Sequence, residues 1–216
     1  MMKKLETYKI VIFDIDGTLM DTEKAILCAL QKLLKEEKNI NFSKEELAFI
    51  LGIPGKEALR RLKIADPDRA LGKWDQYLSQ YFSYIQIFPE IESTLKSLQA
   101  LGIKTGIVTS KTRHEYEKDF IPFGLGGYFQ HVICADDTVN HKPHPEPIIK
   151  CLELASEQPS QAIYIGDTIY DMQCASSAGV DFALALWGTR NKEMESDYKL
   201  ASPSEILNII NIAVNN

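Results

Sequence analysis

Cysteine is scarce in this chain. Four residues in 216, Cys28, Cys134, Cys151 and Cys174, are scattered, and none forms a C-x-x-C pair. That spacing argues against a disulfide framework and against a structural zinc site. The four thiols are expected reduced and partly buried. Long apolar runs are missing too: none approaches the ~20 residues of a membrane span. The stretch Ile10–Phe13 near the start is short of the roughly 7–15 residues of a signal-peptide core. A cytoplasmic protein with no membrane contact is expected. Basic charge is not in excess, since 24 Lys and Arg stand against 30 Asp and Glu, a formal charge of −6. A net acidic surface argues against non-specific nucleic-acid binding. It leaves room for a small anion, because a local site can be positive or carry a metal. There is no internal repeat and no low-complexity tract.

What is present is an ordinary mixture, 45% hydrophobic, 25% charged and 9% aromatic, which fits a folded chain. The length suits one large domain, or one domain with a smaller insert. Short apolar runs bounded by turn residues read as buried strands at 8–13, 103–109, 131–134, 162–165 and 181–186. Helical patterns fall between and after them at 89–101, 113–120, 146–154, 170–178 and 203–214. Gly102 and Gly179 follow apolar-periodic segments as helix stops, and Pro203 suits a helix first turn. Such alternation predicts an α/β fold, a doubly wound parallel sheet with helices on both faces.

Residues 22–84 break the rhythm. Their patterns are helical at 25–37, 43–51, 55–62 and 68–84, with a capping box at Ser43 and Glu46. A structureless loop rarely exceeds ~15 residues, so a small helical domain is expected there. Trp74, Tyr77, Tyr81 and Phe82 have the spacing of its core. The domain boundaries follow as 1–20 and 87–216 for the α/β core and 21–86 for the helical cap.

In such sheets ligands bind beyond the carboxyl ends of the strands. Three expected strands end at polar residues, Asp14, Thr109 and Asp167. Asp14-Ile15-Asp16-Gly17 places two carboxylates beside a turn glycine, and Gly166-Asp167 with Asp171 repeats the theme at another strand end. Asp171 also suits a helix start. Carboxylates converging on one site repel, and a hard cation such as Mg²⁺ would relieve this. Lys142 sits between His141 and Pro143 in a loop stiffened by Pro143 and Pro145. Thr109 and Ser110 would serve either as a helix cap or as a phosphate-binding hydroxyl pair. His114, His131, His141 and His144 lack ligand spacing.

Taken together, Asp14-Ile15-Asp16-Gly17-Thr18-Leu19, Thr109-Ser110, Lys142-Pro143 and Gly166-Asp167 with Asp171 resemble the haloacid dehalogenase superfamily in order and spacing. Met20-Asp21-Thr22 and Leu51-Gly52-Ile53-Pro54 look like its phosphoglycolate phosphatase and pyrophosphatase branch, close to β-phosphoglucomutase. The resemblance implies a Mg²⁺-dependent phosphatase acting on a small phosphorylated metabolite. On that view Asp14 is the nucleophile, Asp16 the general acid and base, and Thr109, Ser110 and Lys142 hold the phosphate. Asp14, the Asp16 backbone carbonyl and Asp167 would ligate the metal, with Asp171 as a ligand or its support. The cap turn at Gly52–Gly55 and Lys56 would face the site and select substrates. Ser110 stands where asparagine is frequent in the family. Asp16 is a full aspartate, unlike the dehalogenase branch, so haloacid chemistry is not expected.

Three rival readings have different requirements. A phosphomutase of the β-phosphoglucomutase type, or an inorganic pyrophosphatase, would share the core. A mutase also needs basic cap contacts, for which Lys56, Arg60 and Arg61 are candidates. A non-catalytic binding module is opposed by the intact acidic set. The chain is expected as a monomer or homodimer.

Overall fold

The computed structural model describes residues 8–214. In chain order the strands are β1 (Ile10–Phe13), β2 (Met20–Asp21), β3 (Gln86–Ile87), β4 (Lys104–Val108), β5 (His131–Ile133), β6 (Ala162–Gly166), β7 (Asp181–Ala185) and β8 (Tyr198–Leu200). The helices are α1 (Glu23–Lys38), α2 (Lys44–Leu47), α3 (Gly55–Arg61), α4 (Pro67–Gln80), α5 (Ile91–Ala100), α6 (Arg113–Glu115), α7 (Glu146–Ala155), α8 (Ile169–Ala178) and α9 (Ile206–Val214).

Every residue of β1 is apolar and buried, which only a strand covered on both faces permits. It lies inside a six-stranded sheet of order β5-β4-β1-β6-β7-β8, with each neighbouring pair parallel. Alternate side chains divide between two helix layers. Val11, Phe13, Ile163 and Ile165 pack with Ile91 and Leu95 of α5 and Ile206 of α9. Ile10, Ile12 and Tyr164 pack with Ile148 and Leu152 of α7 and Cys174 of α8. Fully burying one such side chain stabilises by about 1.5–3 kcal/mol. The doubly wound α/β expectation is met, and its five strands are all present.

Three short strands were not expected. β8 is an edge strand with only Leu200 buried. β2 and β3 form a two-residue antiparallel ribbon, Met20 level with Ile87 and Asp21 with Gln86. Between them run α1 to α4. α1 buries Leu27, Leu30 and Leu34 at helical spacing and stops at Asn39 in the left-handed conformation. α4 starts with Pro67 at its first turn and the Asp66 side chain accepting from the Arg69 N–H. Its Ala70, Trp74 and Leu78 face the interior. The Ser43–Glu46 capping box forms, but α2 lasts one turn before a 3₁₀ turn at Ala48–Ile50. Likewise α4 gives way to a 3₁₀ turn at Phe82–Tyr84, and α6 to a π-helical turn at Tyr116–Phe120. All four cysteines are free thiols. No helix among the described residues is long and apolar enough to cross a membrane.

Candidate active site

Parallel register sets Phe13 level with Ile107 on one side and Ile165 on the other. The next residues therefore leave the sheet together. Asp14 extends β1 by one bond, its N–H donating to the Ile165 carbonyl at 2.9 Å. Thr109 does the same from β4 to the Ile133 carbonyl, at 3.0 Å. After Asp14 the chain turns sharply, with Gly17 at φ 80°. A Cβ there would collide with the Asp167 carboxylate, so glycine lets the two strand ends close on each other. Thr18 Oγ1 donates to Asp167 Oδ1 at 3.2 Å.

Lys142 is 4% exposed. Its ammonium lies 3.0 Å from Asp14 Oδ1 and 2.6 Å from Asp171 Oδ1. It also donates to the Tyr164 hydroxyl at 3.2 Å. Asp171 has a second employment as the acid of the α8 capping box. Its Oδ2 accepts from the Thr168 N–H at 3.0 Å and from Thr168 Oγ1 at 2.5 Å. Tyr164 Oη lies 3.0 Å from Asp171 Oδ1 and 2.9 Å from the Val108 carbonyl. Both Asp171 oxygens are thus already bonded.

These surroundings set the electrostatics. Burial pushes Asp14 up to about 7; Lys142 opposes this, while the Asp171 and Asp16 carboxylates add to it. Burial also pushes Asp167 well above the carboxylate range, helped by Asp171 and Asp14. Burial pulls Lys142 down, but Asp14 and Asp171 hold it above the ordinary lysine range. Carboxylate oxygens of Asp14, Asp167 and Asp171 all lie within 4.8 Å of one another. Three acids against one ammonium, with oxygen donors only, is a donor set that fits a hard divalent cation. The Asp16 carboxylate stands apart from this cluster, 3.2 Å from Lys111 Nζ.

A cavity of about 340 Å³ opens over these strand ends. Asp14, Asp16, Ser110, Lys111 and Asp167 line it from the sheet; Ile26, Gly52, Ile53 and Trp74 line it from the helices. The Gly52–Gly55 turn therefore faces the site, but Lys56 does not. Lys56 pairs with Asp68 at 2.5 Å, both side chains exposed, and it is not among the cavity-lining residues. The first turn of α3 points Lys56 toward the start of α4, where an acid stands. Arg60 and Arg61 are likewise turned to Glu57. Thr109 is buried, its hydroxyl accepting from the Lys111 N–H at 3.2 Å. Ser110 Oγ donates to the Gly52 carbonyl at 2.8 Å, so its hydroxyl ties the sheet edge to the helical turn. Sequence reasoning overlooked Lys111, although it directly follows Ser110. It favoured core for Trp74, since helical spacing does not tell a core face from a cavity wall.

A parallel sheet whose central strand ends in paired aspartates, facing a lysine and a further acidic strand end, defines a hydrolase of the two-aspartate α/β type. A sequence profile of the haloacid dehalogenase-like hydrolases matches residues 11–185, and the chain belongs to that family. It is 32% identical over 208 residues to the phosphoglycolate phosphatase of Aquifex aeolicus, covering 94% of this chain and 96% of that one. It is 28% identical over 205 residues to the pyrophosphatase PpaX of Oceanobacillus iheyensis, covering 93% and 95%. A Lactobacillus plantarum crystal structure, provisionally named phosphoglycolate phosphatase, superposes with a TM-score of 0.86 at 30% identity, covering 94% and 99%.

Proposed function

We propose that this hydrolase is a phosphatase that cleaves a small phosphorylated metabolite through an aspartyl-phosphate on Asp14. The observation that carries the reading is Lys142, buried and 3.0 Å from Asp14, where Asp14 lines a cavity together with Asp16 and Asp167. One ammonium at the nucleophile lets a phosphate dianion approach carboxylates. An Asp14 oxygen attacks phosphorus, the ester P–O bond breaks, and Asp16 gives its proton to the departing oxygen. Asp16 then takes a proton from water as that water attacks the aspartyl-phosphate. Inorganic phosphate leaves and Asp14 is restored.

Asp14, the Asp16 backbone carbonyl and Asp167 are the residues that would hold Mg²⁺. Asp171, with both oxygens bonded already, supports Lys142 and the α8 start. When bound, such a cation neutralises phosphate oxygens and offsets the crowded carboxylates. Thr109 and Lys142 position the transferred phosphate. Residues 21–86 act as a cap domain on a core of 8–20 and 87–214, and the Gly52–Gly55 turn with Trp74 shapes the leaving-group end.

Hydrolysis is favoured over the mutase reading because Lys56, Arg60 and Arg61 are engaged with Asp68 and Glu57. The relatives' names put phosphoglycolate and pyrophosphate first among substrates to try. The test is phosphate release from a panel of phosphate monoesters and pyrophosphate with Mg²⁺. Turnover of at least one monoester, abolished by EDTA, is expected. No release from any compound would overturn the reading, and isomerisation of a sugar phosphate without release would support the mutase.

A further inference from the structure

A second buried lysine carries an ammonium that the reaction above does not use. Lys111 is 8% exposed, yet its Nζ reaches the cavity side of the sheet edge. It lies 3.2 Å from Asp16 Oδ1 and 3.9 Å from Asp119 Oδ2. Neither oxygen has another partner among the described residues. Asp119 is itself 3% exposed and sits in the π-helical turn Tyr116–Phe120. Such turns are rare and cluster at functional sites. From the same turn Lys118 pairs with Asp75 of α4 at 2.5 Å. The backbone around Lys111 is fixed, since its N–H donates to Thr109 Oγ1 at 3.2 Å and its carbonyl accepts from the Ala135 N–H at 2.8 Å. The nearby Glu115 carboxylate is occupied in the Thr112 capping box.

A buried ion-pair triad seldom stabilises a fold better than apolar packing would, so this one calls for another reason. Its geometry supplies one. We infer that Lys111, braced from behind by Asp119, is a positioning residue that works through Asp16. The inference rests on the assignment of Asp16 as the acid of the proposed phosphatase. Lys111 holds the Asp16 carboxyl on the leaving-group side of the cavity, away from the Asp14, Asp167 and Asp171 cluster. As the Asp16 proton passes to the leaving oxygen, negative charge appears on the carboxylate 3.2 Å from the ammonium. A preorganised cation at that point lowers the barrier to the transfer. Asp119 keeps the ammonium in place from the far side.

The test compares two monoesters that share the phosphate and differ in the leaving group. A nitrophenyl ester departs without a proton; an alkyl ester, phosphoglycolate or the best monoester of the panel, needs one. The readout is kcat/KM, which reports the steps up to leaving-group departure. Lys111→Met is expected to lower kcat/KM about 100-fold on the alkyl ester and under about fivefold on the nitrophenyl ester, the scale of general-acid catalysis. Lys111→Arg restores most of the loss. Asp119→Asn shifts the same ratio in the same direction by a smaller factor, and it serves as the probe if Lys111→Met does not fold. Equal losses on both esters, or none, overturn the inference. A wild-type enzyme inactive on every monoester overturns the phosphatase reading instead.

Discussion

Asp14, Asp167 and Asp171 crowd around Lys142, and no other ammonium lies within ion-pairing distance of them among the described residues. Asp171 is satisfied by Lys142, Tyr164 and Thr168. Among the described residues Asp167 accepts a hydrogen bond from Thr18 alone, and it is driven toward its neutral form by burial and by Asp171 and Asp14. The metal-free site is therefore under electrostatic strain at Asp167. Asp167→Asn is expected to raise the metal-free melting midpoint by a few degrees, because a neutral amide removes the repulsion. The same variant should lose the midpoint gain that Mg²⁺ gives the wild type. Calorimetry with and without Mg²⁺ reads both effects, and a variant that is destabilised metal-free yet still gains from Mg²⁺ would contradict this account. Asp14→Asn tests the nucleophile. An amide does not attack phosphorus, so turnover should fall on the order of 10³-fold or more while the circular dichroism spectrum stays that of the wild type. A residual rate of more than a few per cent would exclude Asp14.

Among elements, the start of α8 couples stability to the site. Thr168 and Asp171 cap each other, and the same Asp171 holds Lys142. Thr168→Ala removes both bonds of the Thr168 hydroxyl in that box and leaves Asp171 Oδ2 held by the backbone N–H of residue 168 alone. A stability loss of about 1 kcal/mol is expected from denaturant titration, together with a fall in kcat as Asp171, less firmly held, positions Lys142 less well. An unchanged kcat would separate the cap from the site. The α8 case also shows what sequence can carry. Asp171 was legible as a helix-start acid, which has a local pattern, but its contact with Lys142 was not, because the two lie far apart in sequence and only packing joins them. The long strands were legible because four or five consecutive buried residues leave a continuous apolar run. The β2–β3 ribbon left no such trace, since two residues are too few to show alternation. The π-turn that buries Asp119 was hidden inside an ordinary helical pattern. Lys56 was misplaced because its partner, Asp68, lies on another helix, and only packing brings the two together.

At the scale of the whole molecule, the helical segment meets the sheet through a handful of polar ties around the cavity. Ser110 donates to the Gly52 carbonyl at 2.8 Å, Lys118 pairs with Asp75 at 2.5 Å, Arg190 with Glu23 at 2.5 Å, and Arg61 donates to the Tyr170 hydroxyl at 3.1 Å. Exposed or half-exposed ion pairs contribute about 0–1 kcal/mol each, so their sum is small beside the apolar packing inside either layer. The covalent links are two, at the β2 and β3 ribbon. Weak ties across the cavity with a ribbon at the hinge suit a lid that opens for exchange and closes for transfer. Removing two of the ties should shift that balance without touching the sheet. In the double variant Ser110→Ala, Lys118→Met, amide exchange at residues 48–56 should quicken severalfold, while exchange in β1, β4 and β6 stays at the wild-type rate. KM should rise more for esters with bulky leaving groups, which need the closed helices, than for the smallest ones. If exchange at 48–56 is unaltered, the ties do not hold the lid, and closure rests on the apolar contacts of Ile53 and Trp74 instead.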